Sequence, residues 1–134
     1  MTKDEAAKLL AIIKVAYPAA YKDRDRESAL ATVNMWWHTF PEVPYAVMEM
    51  AFERFRRVSK FPPTVAEMIE EIKNIYFSAM LDARLAKSMG DEETYRKCKY
   101  IMNGAGAMLG SGQTELDYNR ISEDMLLTDS KLIE

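Results

Sequence analysis

The side chains that most often carry chemistry are scarce in this sequence and stand apart from one another. His38 is the single histidine and Cys98 the single cysteine. A general base must reach the proton it takes, and no Ser, Cys or Asp stands at a recognisable spacing from His38. A satisfied or solvent-facing imidazole is expected there. One His and one Cys cannot supply the several ligands of a protein-only zinc site, and a lone cysteine cannot close an internal disulfide, which fits a reducing compartment. Carboxylates do cluster, as Glu67, Glu70 and Glu71 and again as Asp91, Glu92 and Glu93. Acidic residues in a first helical turn complement the helix dipole, so a structural role suffices for them.

Phosphate chemistry fares no better. The one glycine-rich stretch runs from Asn103 to Gly112. A Walker loop needs Gly-x4-Gly-Lys-Ser/Thr, whose backbone amides cradle phosphates while the lysine neutralises them. Here the spacing fails, the lysine is missing and no strand precedes. Gly104, Gly106 and Gly110 also miss the dinucleotide fingerprint, the last interval being one residue too long. Clustered glycines with Ser111 and Gln113 read as a flexible linker. The expectation is a protein that is not an enzyme and has no cofactor or metal.

Recognition is better represented. Trp36 and Trp37 are adjacent on a helix and so lie about 100° apart around its axis. Either both are core residues on a wide apolar stripe, or Trp36 is a partly exposed anchor of the kind enriched in binding hot spots. Arg54, Arg56, Arg57 and Lys60 form the densest basic cluster, with Lys22, Arg24 and Arg26 a second. Such runs are usually solvated helix faces. They could also steer an acidic partner or DNA phosphates, although no aromatic or amide readers are interleaved with them. Near the C-terminus, Tyr118, Ile121 and Met125 follow helical spacing beside Leu116, Leu126 and Leu127, with Leu132 and Ile133 beyond. Apolar anchors among acidic residues suit a segment that folds into a partner's groove. Packing back onto the chain's own body is the competing possibility.

The elements that must position these residues are all helical. Composition is globular, with 49% hydrophobic and 29% charged residues, and 134 residues suit one domain. Thr2 and Glu5 make a capping box for a first helix whose face is Ala6, Leu9, Leu10, Ile13, Ala16 and Tyr17, ended by Pro18. A second starts near Asp23–Asp25 and points Ala29, Leu30, Val33, Trp37 and Phe40 inward before Pro41. The third follows Pro44 with Tyr45, Met48, Phe52 and Phe55 on one stripe, leaving Arg54 and Arg57 outside. Phe61-Pro62-Pro63-Thr64 holds the chain extended, and Thr64 with Glu67 caps a fourth helix carrying Val65, Met68, Ile69, Ile72, Tyr76, Ala79 and Ala83. Gly90 interrupts it, and Asp91 caps a fifth with Tyr95, Cys98, Ile101 and Met102. No segment shows period-two alternation with β-branched enrichment, so the fold class expected is all-α.

Charge divides the chain unevenly. The net charge is -3, and residues 103–134 hold two basic and six acidic groups against sixteen and fifteen in residues 1–102. The division expected is a helical domain over 1–102 and a glycine-rich linker with an acidic, apolar interaction tail over 103–134. The apolar run near Ala6 is broken by Lys8 and Lys14 and is not a signal peptide. No run approaches the roughly 20 apolar residues that cross a bilayer. A soluble, cytoplasmic protein with no membrane contact is expected.

The order Ala16-Tyr17-Pro18, Trp36-Trp37, Pro44-Tyr45 and Lys60-Phe61-Pro62-Pro63-Thr64-Val65-Ala66-Glu67 resembles the phage helicase loader and inhibitor family over roughly the first 75 residues. The resemblance implies a helical N-terminal domain and a poorly ordered C-terminal region. It also implies a role in phage DNA replication within a bacterial host. There the protein would bind a hexameric DnaB-type replicative helicase, restrain its ATPase and unwinding, and deliver it to an origin-bound initiator protein without hydrolysing nucleotide. The helicase-contacting region corresponds to the stretch from about Glu115 onward, where Leu116, Tyr118, Ile121, Met125, Leu126 and Leu127 are the candidates. Residues 65–102 depart from that pattern in being strongly helical. Two other classes stay open: a DNA-binding replication or regulatory module using the Arg54–Lys60 face, with Trp36 as a possible contact, and a self-associating helical protein. Direct DNA binding is the less favoured.

Overall fold

The computed structural model describes residues 1–109, the last two by backbone alone. Five α-helices occur in them: α1 (Lys3–Ala16), α2 (Arg26–Thr39), α3 (Tyr45–Arg56), α4 (Val65–Met89) and α5 (Glu92–Leu109). A short 3-10 turn, Pro18–Tyr21, links α1 to α2. No strand occurs among the described residues, and the fold is all-α.

Local chemistry explains the helix boundaries. At α1 the Glu5 amide donates to the Thr2 hydroxyl at 3.2 Å and the Thr2 amide to the Glu5 carboxylate at 2.8 Å. Thr64 and Glu67 repeat this at α4, both bonds being 3.1 Å. Each box satisfies two amides that a helix start otherwise leaves without partners. Asp25 caps α2 by accepting from the Ser28 amide at 2.8 Å. Pro18 cannot donate to a carbonyl and so cannot extend α1; instead it opens the 3-10 turn.

The α4–α5 connection is the tightest. Gly90 takes φ 72°, its amide donates to the Lys87 carbonyl at 3.3 Å, and the Asp91 amide donates to the Ala86 carbonyl at 2.9 Å. These are the two bonds of a Schellman stop, which needs the left-handed conformation that glycine adopts without penalty. Asp91 then opens α5 by accepting from the Thr94 amide at 3.1 Å and from its hydroxyl at 2.6 Å.

The main core gathers Leu9 and Ile13 of α1, Trp36 and Phe40 near the end of α2, Val47, Met48 and Phe52 of α3, and Met68, Ile72 and Ile75 of α4. α4 pairs most extensively with α5 and then with α3, while α2 leans mainly on α1. That explains one difference from the sequence pattern. Ala29 and Leu30 are exposed, not inward, because the first half of α2 has no second neighbour to bury them. Ala16 is exposed for a similar reason, lying on the last turn of α1.

A larger correction concerns the glycine-rich stretch. Residues 103–109 are the last turns of α5 and not the start of a linker. Gly104 and Ala105 are buried. A Cβ on Gly104 would meet the Pro44 ring at 2.8 Å and Val47 at 3.3 Å. The glycine is thus a place where α5 closes onto the start of α3. The helical domain extends past residue 102.

Candidate interaction surfaces

The basic cluster lies where α3 ends and turns into α4. Phe55 is buried beneath it, which turns Arg54, Arg56 and Arg57 outward with Lys60 in the turn that follows. Two of the four cations are already committed. Arg54 pairs with Glu71 of α4 at 3.3 Å and Arg56 with Glu53 at 3.1 Å. Exposed pairs contribute little stability, but each cancels charge locally. Arg57 and Lys60 have no ion pair among the described residues. Beside them, Val58 is 81% exposed and Phe61 75%. The turn is fixed by the Tyr17 hydroxyl, which donates to the Ser59 carbonyl at 3.0 Å, and by Ser59 and Phe61 bonding each other. Its surface is therefore half apolar and half basic. That mixture suits an acidic protein surface with apolar anchors better than a run of phosphates.

The tryptophans divide differently from the sequence expectation. Trp36 is buried and packs on Phe40 with ring centroids 5.8 Å apart. It cannot be an exposed anchor. Trp37 is half-buried, stacks near His38 at 4.8 Å and lies under the Lys3 ammonium at 5.9 Å. It borders a shallow depression together with Pro41, Tyr45 and Tyr100. The Met1 amino group closes the floor, donating to the carbonyls of Phe40, Pro41 and Val43. Of the two readings the core one holds for Trp36, and tertiary packing, which periodicity alone does not encode, leaves Trp37 at the edge.

Two grooves carry no sequence motif. One, of about 260 Å3, runs between α1 and α2 over Leu10 and Val33, with Lys14, Arg24 and Arg26 on its edge. Two members of the second basic cluster, Arg24 and Arg26, thus lie on a groove rim, and Arg24 is held there by stacking 4.8 Å over Tyr21. The other, of about 380 Å3, runs between α4 and α5. Cys98 is buried between the same two helices. Burial, with Asp82 and Asp91 adding to it, pushes its thiol above the ordinary range. A neutral, enclosed thiol is a poor nucleophile. His38 is exposed near the end of α2. Among the described residues no three His, Cys, Asp or Glu side chains come together as a metal site, and no helix is long and apolar enough to cross a membrane. The candidates Leu116, Tyr118, Ile121, Met125, Leu126 and Leu127 lie outside the described residues.

The fold and its surfaces define an all-helical protein whose distinctive features are apolar and basic faces. Comparison with known families agrees with the resemblance seen in the sequence. The family model for the N-terminal domain of the phage helicase loader/inhibitor matches residues 1–69, and the chain belongs to that family. No curated protein and no solved structure matches the chain.

Proposed function

We propose that this protein binds the hexameric replicative helicase of its host, restrains it, and hands it to an origin-bound initiator, acting as a protein ligand without an active site of its own. The family match over residues 1–69 carries this reading. The mixed surface around Val58, Lys60 and Phe61 supports it, because it offers a partner both apolar area and charge. The principal helicase contact is assigned to the acidic, apolar segment from Glu115 onward, with Leu116, Tyr118, Ile121, Met125, Leu126 and Leu127 as anchors. Ordering such a segment on the helicase, or displacing it from a contact within its own chain, offsets part of the interaction energy and makes the contact releasable. Several copies on one ring would keep each body tethered near the same assembly. Release follows if the initiator or DNA favours a helicase state with lower affinity.

The test is co-elution with the cognate helicase in size-exclusion chromatography with light scattering, with and without ATP. The informative deletion removes residues 110–134 and spares 103–109, since Ala105 belongs to the core. Loss of the complex with the helices of residues 1–109 still folded supports the tail contact. A truncated chain that binds as tightly moves the contact to the body, and no complex with the full chain removes the helicase reading. A DNA-binding role has less support, because Arg54 and Arg56 are paired with carboxylates. It would show as affinity for DNA that falls steeply with salt.

A further inference from the structure

Beyond Ala79 the α4–α5 hairpin leaves the rest of the molecule. Met80, Ala83 and Ala86 of α4 and Cys98 of α5 are buried there, but they stand outside the main core cluster. Two helices can each bury only one stripe on the other, so a third is needed to enclose them. Along one side they leave the groove of about 380 Å3, floored by Met80, Ala83, Tyr95 and Met102 and edged by Lys87 and Lys99. On the outer side of α4, Leu85 is 62% and Met89 73% exposed.

We propose that residues 116–127 of the same chain fold as a helix into this groove and convert the hairpin into a three-helix bundle. The chain's course favours this occupant. α5 runs back along α4 until Gly106 faces Tyr76, so the described chain ends beside the near end of the hairpin. Six residues, 110–115, then separate Leu109 from Leu116. Antiparallel helices in bundles are commonly joined by about 2–8 residues. A helix starting there runs back along the groove.

The segment also has the makings of a helix. Thr114-Glu115-Leu116-Asp117 repeats the Ser/Thr-x-x-Asp/Glu pattern of Thr2–Glu5 and Thr64–Glu67, both of which form capping boxes. Tyr118, Ile121 and Met125 span the same two turns as Met80 to Lys87 on α4 and Tyr95 to Met102 on α5. Asp117 and Asp124, seven residues apart, flank that stripe and meet the lysine edge with opposite charge. Docked there, Tyr118, Ile121 and Met125 are covered in the free chain, so a helicase that takes the same anchors has to displace them from the groove.

Amide hydrogen exchange and backbone NMR on the full chain test it, at two protein concentrations. Amides of residues 118–126 are expected to exchange at least about tenfold more slowly than an unstructured chain. Ile121→Asp with Met125→Asp should abolish that protection and shift the resonances of Met80, Ala83, Tyr95 and Met102, while Leu9 and Phe52 stay in place. Lys87→Glu with Lys99→Glu, both exposed, should speed exchange several-fold without unfolding the hairpin. Unprotected amides in the wild-type chain overturn the proposal and leave the groove to another protein. Protection that appears only at the higher concentration overturns it in favour of a second copy. Groove resonances unmoved by Ile121→Asp with Met125→Asp, or exchange unchanged by the lysine reversals, put the helix elsewhere and also overturn it.

Discussion

Gly104 and Gly106 lie two residues apart in α5 and answer differently to the same change. Alanine in place of helical glycine gains about 1 kcal/mol of helix propensity. At Gly104 the new methyl would sit 2.8 Å from two ring carbons of Pro44, and Pro44 begins α3. Neither the ring nor the helix start can retreat cheaply, and overpacking of this kind costs about 1–3 kcal/mol. At Gly106 the obstacle is the edge of the Tyr76 ring at 3.3 Å, which yields by a few tenths of an ångström. Gly104→Ala is therefore expected to lower stability and Gly106→Ala to leave it within about 0.5 kcal/mol, both read by urea denaturation followed by circular dichroism. Equal effects would contradict the packing of α5 on α3. The sequence could not distinguish these roles, because whether a glycine loosens a chain or admits a neighbour depends on Pro44, far away along the chain. The same holds for Trp36 and Trp37, whose burial is decided by where Phe40 and Lys3 sit and not by their spacing.

Whole elements were far more legible, because their boundaries are set by neighbours in sequence. Both capping boxes, the aspartate caps of α2 and α5, the proline stops and the Gly90 break lie where the pattern puts them. What the pattern could not give was the extent of α5 or the grooves between helices, which arise only when faces meet. The α4–α5 turn allows two predictions. Nothing lies within 4 Å of a Cβ at Gly90, so Gly90→Ala suffers only the left-handed backbone, about 1–2 kcal/mol, and its melting temperature should fall with no change in the fold. Asp91 is held below its ordinary pKa of 3.8 by the hydroxyl and amide of Thr94. A carboxyl whose folded pKa is depressed adds stability above its unfolded value and loses it as pH falls through the folded value. Asp91→Ala should therefore melt lower than wild type at neutral pH, and the gap should narrow as pH drops below 3.8. A gap that widens in acid would mean that the charged cap contributes nothing.

At the scale of the molecule, the family match and the folded unit have different limits. The match ends at residue 69, a few residues into α4. Ile72, Ile75, Tyr76 and Ala105 lie beyond it and yet belong to the main core. Each large apolar side chain withdrawn from water contributes about 1.5–3 kcal/mol, a serious loss against a total stability of about 5–15 kcal/mol. A fragment of residues 1–69 should accordingly melt well below one of residues 1–109; equal melting would show that the hairpin is an appendage. The surfaces are divided in the same way, with the Val58–Phe61 turn inside the matched part and the Leu116–Leu127 segment outside it. If both touch one helicase, the second contact forms within a tethered complex and multiplies the first. Phe61 is 75% exposed, so Phe61→Ser should change stability by no more than about 0.5 kcal/mol. On the proposed helicase reading it should weaken the complex about tenfold, or about 1.4 kcal/mol, as measured by titration calorimetry. A complex of unchanged affinity would assign binding to the C-terminal segment alone, and the body would then serve to hold and present it.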